Sequence, residues 1–96
     1  MNRQQALKAL AHAKSPLQQQ FGVTRLALFG STARDAAKPD SDVDVLVAFD
    51  GPATSTRYFG VQFYLEDLLG RPVDLASERA LRPELRAAVE RELVDV

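Results

Sequence analysis

The sequence predicts an α/β (α+β) fold, a small mixed sheet flanked by helices, from two observations. Residues 25–29 (RLALF) and 43–49 (VDVLVAF) are short apolar runs bounded by glycine and polar residues, as central strands are. Around them lie segments whose apolar residues recur at three- and four-residue steps, the spacing of one helix face.

In chain order, residues 2–14 are good helix formers, with Leu7, Leu10, Lys14 and Leu17 in step. Ser15-Pro16 predicts a break or kink, because a proline suits the first turn of a restarted helix, and Phe21-Gly22 closes the segment. After the first strand, Gly30-Ser31 opens a short polar stretch, residues 32–37, read as a short helix. Residues 35–41 form the longest helix-free connection. Gly51-Pro52 ends the second strand, and Thr54 or Ser55 caps a helix running to about Leu69, with Tyr58, Val61, Leu65, Leu68 and Leu69 inward and Gly70 as its stop. Residues 73–76 (VDLA) are a third strand, and residues 81–93 are helical with Leu85, Val89 and Leu93 in step. Residues 94–96 are either a fraying end or a short fourth strand.

The chain has 96 residues and no compositional break, so one domain over residues 1–96 is expected, near the lower size for burying a core. A partner surface would help it. With 46% hydrophobic and 26% charged residues the composition argues against disorder, and a net charge of −1 disfavours a general grip on nucleic acid. There is no Cys, which excludes thiolate metal sites and cysteine nucleophiles and fits a reducing compartment. No run approaches the roughly 18 apolar residues of a membrane span, and residues 1–14 lack a signal-peptide core, so a cytoplasmic protein without membrane contact is expected.

Three acids interrupt these strands. Residues two apart on a strand share a face, so Asp42 and Asp44 project together, Cα atoms roughly 6.5 to 7 Å apart. Asp74 breaks the third apolar run and can join them if the two strands are neighbours. The plainer reading is that these acids are solvated at strand ends, and for Asp42 alone it is the favoured one. Together they form the pattern of a hard divalent ion site, such as one for Mg²⁺. Gly30-Ser31 offers backbone amides and a hydroxyl that suit an anion such as phosphate, and Arg34 adds forked donors, although Gly-Ser after a strand is also a common turn. An anion cradle joined by one loop to a carboxylate cluster is what a metal-bound nucleoside triphosphate requires.

Gly30-Ser31, ten residues, then Asp42-Val43-Asp44 resembles the GSx10DxD signature of the nucleotidyltransferase superfamily that includes DNA polymerase beta. The stretches ALFGSTAR and GRPVDL make the chain, from about residue 21 onward, similar to the minimal nucleotidyltransferase (MNT) family, small prokaryotic proteins usually encoded beside a HEPN-domain protein. The resemblance implies a palm-like domain in which Gly30, Ser31 and Arg34 hold the triphosphate of ATP. It implies that Asp42 and Asp44 ligate two Mg²⁺ ions and that Asp74 holds the ion activating the incoming hydroxyl. It further implies an antitoxin that transfers AMP from ATP to a tyrosine of a partner HEPN ribonuclease, in a hetero-oligomer. One position departs: the family commonly has Gly after the Arg, and this chain has Asp35, which brings a further negative charge near the expected triphosphate.

A second expectation, from another class, is a catalytically weak or inactive module that neutralises the HEPN partner by binding alone. A third keeps transfer but moves it to a small hydroxyl compound, and polymerase activity fits the size and charge least. His12 is expected at the surface. Tyr58, Phe59, Phe63 and Tyr64 crowd one helix, by default as core and otherwise as a partner surface. Residues 79–92 read as a solvated helix face with pairs such as Glu78 with Arg82 and Arg86 with Glu90.

Overall fold

The computed structural model describes residues 1–96. Its elements run α1 (Arg3–Phe21), β1 (Val23–Phe29), α2 (Gly30–Ala33), β2 (Val43–Phe49), α3 (Ser55–Leu69), β3 (Val73–Ser77), a single 3-10 turn (Glu78–Ala80), α4 (Pro83–Glu92) and β4 (Val94–Asp95). They form one four-stranded mixed sheet in the order β3-β2-β1-β4. The first two strands pair antiparallel, β4 adds antiparallel to β1, and β3 lies parallel to β2. The parallel pair requires a crossover, and α3 supplies it.

Alternation along the strands sets one face against α1 and α3. Leu26 and Leu28, Val43, Val45, Val47 and Phe49, and Val73 and Leu75 pack there with Ala6, Leu10, Ala13 and Leu17 of α1 and Val61, Leu65 and Leu69 of α3. Arg25, Ala27, Asp44, Leu46 and Asp74 alternate with those residues and therefore belong to the other face.

The sequence located the strands and most of the caps, and the corrections have physical causes. The break expected at Ser15-Pro16 does not occur: α1 runs through Pro16, from an Asn2–Gln5 capping box to Gly22, whose φ of +70° ends it. Proline there removes one backbone bond, but Ala6, Leu10, Ala13 and Leu17 bury one continuous stripe across it, which holds the helix together. Lys14 is not in that stripe; it is exposed and its Nζ donates to the Val96 carbonyl at 2.6 Å. The first strand begins at Val23, two residues early, and the chain ends as a short fourth strand. The last helix starts at Pro83, with Leu85 exposed and Val89 and Leu93 only half-buried. On α3, Leu68 is exposed, as are Phe59 and Phe63, whose rings stack 6.2 Å apart; only Tyr58 and Tyr64 of the aromatic group pack on the core. No helix is long and apolar enough to cross a membrane.

Tyr58 fastens α3 to the edge strand, its hydroxyl donating to the Leu75 carbonyl. Burial and the nearby Asp74 push its pKa up, so the phenol stays a donor across the physiological range. Replacing Tyr58 by Phe leaves that carbonyl unpaired and is expected to cost about 1 kcal/mol. Urea unfolding measures this; an unchanged midpoint would mean that water replaces the hydroxyl without loss.

Candidate active site

The parallel register pairs Val43 with Val73 and Asp44 with Asp74, while Phe29 of β1 lies across from Asp44 on the other side. The two carboxylates therefore stand side by side on neighbouring strands. Asp42 lies just before β2, exposed, and Asp44 is half-buried between the core residues Val43 and Val45. Burial, then the charges of Asp74 and Asp42 and a hydrogen bond with Asp74, push the Asp44 carboxyl up to about 6, and only Arg34 opposes them. Asp44 thus feels the charge of both other acids. No three His, Asp or Glu side chains converge closely enough to form a ready-made metal nest, so the cluster is proximal without being closed. Three carboxylates are the all-oxygen donor set that suits Mg²⁺, and their mutual repulsion is what a bound cation relieves.

Gly30 turns the chain from β1 into α2 with a φ of +73°. A Cβ at this position would overlap the Asp44 carboxylate, so glycine is required both by the turn and by the close approach. The turn is anchored by buried Thr32 and Ala33, and backbone bonds from Arg34 to Gly30 (3.1 Å) and Ala36 to Ser31 (2.8 Å) close it. Gly30 and Arg34 are thereby set beside Asp44, and Ser31 follows Gly30 in the turn. Asp35 takes the left-handed conformation glycine would have supplied, with φ +57°. Its carboxylate accepts the Arg3 N–H at 3.1 Å, one of the open amides at the start of α1. The departure from the family pattern is accommodated by this long-range bond to α1.

Two groups escaped the sequence reading. Glu92, at the end of α4, accepts from Gly30 N–H at 3.3 Å and from Arg34 Nη1 at 2.5 Å. Nothing local marks it, because its partners lie about sixty residues earlier. Arg25 binds Asp95 through Nε at 2.8 Å, Glu78 at 2.9 Å and Glu90 at 3.3 Å. Glu90 therefore pairs with Arg25 instead of Arg86, and Arg86 donates to the Glu78 carbonyl at 2.7 Å. Arg25 did carry a signal, a charge inside an apolar strand run. The largest hollow, about 650 Å³, lies apart from the acids, between Phe21, Gly60, Phe63, Tyr64, Glu66 and Asp67. His12 is exposed on α1.

Because the folded Asp44 carboxyl titrates near 6 against its usual 3.8, ionisation at neutral pH costs the native state stability. That cost is absent below about pH 3.8, grows as pH rises to about 6 and is constant above. With the site open to water, Asp44→Asn is expected to stabilise the chain by about 1 kcal/mol at pH 7 in chelated buffer. The advantage should vanish towards pH 4, as urea unfolding at both values would show; equal stability at pH 7 would contradict the repulsion.

The sequence profile of the nucleotidyltransferase domain family matches residues 10–96. The chain is 42% identical over 86 residues to the protein adenylyltransferase MntA of Thermococcus cleftensis, covering 90% of this chain and 86% of that one. A solved protein assigned as a minimal nucleotidyltransferase superposes with a TM-score of 0.84 at 41% identity, over 100% of this chain and 97% of that one. Fold alone is shared with two more distant structures, a toxin-antitoxin complex with AMP-PNP (TM-score 0.73, 20% identity, 88% and 69% covered) and a tri-AMPylated Shewanella oneidensis HEPN toxin with its MNT antitoxin (0.64, 19%, 88% and 66%). With its profile, its relatives and its fold in agreement, this chain belongs to the nucleotidyltransferase domain family and has the minimal nucleotidyltransferase fold.

Proposed function

We propose that the chain is an antitoxin that transfers AMP from ATP to a tyrosine of a partner HEPN ribonuclease in the cytoplasm. The observation that carries this reading is the contact of Gly30 with Asp44: an amide and a guanidinium suited to phosphate abut carboxylates suited to a cation. The relative from Thermococcus cleftensis is named a protein adenylyltransferase, and the Shewanella oneidensis HEPN toxin solved beside its MNT antitoxin carries AMP groups, which supports the acceptor class.

In this reading Gly30 N–H, Ser31 Oγ and Arg34 hold the phosphates of ATP, and the left-handed Asp35 keeps the loop closed behind them. Asp42, Asp44 and Asp74 hold two Mg²⁺ ions, which when bound neutralise phosphate charge and favour the deprotonated acceptor oxygen. Asp74 sits exposed on the edge strand β3, so the acceptor approaches from that side. The tyrosine oxygen bonds to the α-phosphorus, the bond to the β-phosphate oxygen breaks, and pyrophosphate leaves.

The competing reading, neutralisation by binding alone, is favoured by the exposed, stacked Phe59 and Phe63 on α3, a surface a partner could cover. The intact mass of a HEPN partner after incubation with this chain, ATP and Mg²⁺ separates the two. Added adenylyl groups with the wild type and at least a 100-fold lower rate with Asp42→Ala, Asp44→Ala are expected. A stable complex without added mass would leave occlusion as the function.

A further inference from the structure

We infer that Glu92 is an intramolecular competitor for the nucleotide, an anion carried by the chain itself that occupies the phosphate donors until ATP displaces it. This rests on the nucleotide-binding reading and adds a control to it.

The carboxylate spans the two donors assigned to phosphate. It accepts the Gly30 N–H at 3.3 Å with one oxygen and Arg34 Nη1 at 2.5 Å with the other. A carboxylate and a phosphate present comparable oxygens to an amide and a guanidinium, so they cannot hold both donors at once. The remaining chain holds Glu92 in place. Immediately after it β4 pairs with β1, Val94 against Leu28 and Asp95 against Ala27, and Arg25 grips Asp95. On the other side α4 fully buries no residue; its Val89 is half-buried, and polar bonds tie it down, Glu90 to Arg25 and Arg86 to the Glu78 carbonyl. Glu92 is therefore presented from an anchored strand on a loosely seated helix. Its release breaks two bonds at a partly exposed site and unpacks no core. A triphosphate brings several negative charges against one and wins the donors, whereas an anion of lower charge competes less well.

The consequence is a measurable loss of apparent affinity, since nucleotide binds only the fraction of molecules in which the donors are free. Titration of the full chain with ATP and Mg²⁺, without any HEPN partner, gives a dissociation constant independent of transfer. Glu92→Ala is expected to bind ATP about three- to tenfold more tightly than wild type, Glu92→Gln to fall between them, and Arg34→Ala to bind more weakly. Amide exchange adds a second readout: ATP should speed exchange over residues 83–92 in the wild type and leave Glu92→Ala unchanged. If wild type binds ATP and both Glu92 variants, folded by circular dichroism, bind it equally or less well, Glu92 is no competitor and the inference is overturned while nucleotide binding stands. If no folded form binds ATP, the nucleotide reading itself fails and takes the inference with it.

Discussion

The parallel pairing of β2 with β3 is the constraint on which the rest of the molecule depends. It sets Val43 beside Val73 and Val45 beside Leu75 on the face that α1 and α3 cover, and in doing so sets Asp44 beside Asp74 on the other. A slip of β3 by one residue would turn Asp74 into the core and Val73 and Leu75 into water, so the hydrophobic pattern that fixes the register also fixes the repulsion. The core on one face offsets the cost of like charges on its reverse.

The polar face is electrostatically lopsided. At one end Arg25 faces three acids, Glu78, Glu90 and Asp95, and draws the 3-10 turn, α4 and β4 together. At the other end Asp44 feels the charges of Asp74 and Asp42, only Arg34 opposes them, and its guanidinium is engaged by Glu92. At the first end each acid is ion-paired to Arg25, and the cluster is structural. The second is left with surplus negative charge beside donors suited to an anion, the imbalance that a metal-bound polyphosphate corrects from both sides.

What could be read from the sequence was local. Valine-rich runs, a Thr54 cap and glycines at 22 and 70 are decided within a few residues, and the structure has them in place. The spacing from Gly30 to Asp44 was legible because a loop and a strand carry it, whereas Asp74 could join only on the supposition that its strand was a neighbour. Pro16 misled because its local penalty is overruled by a stripe buried on both sides of it. Leu68 and Leu85 keep helical spacing yet remain exposed, since periodicity names a face without saying what covers it. Glu92 was out of reach, because an ion pair spanning most of the chain leaves no mark in either segment.

Asp35 was the one residue that argued against catalysis, and its place in the structure answers the conformational half of that objection. It takes a positive φ without glycine, and its carboxylate serves the first amide of α1. The other side of the comparison is Asp44. A domain that only docked on its partner would gain stability from a neutral residue there, because the ionised carboxyl is half-buried beside two others. A local conflict of this kind is expected where function requires it and is otherwise a cost without return. The repulsion on the open face therefore favours transfer over occlusion, and it does so through the same acids that the β2–β3 register holds together.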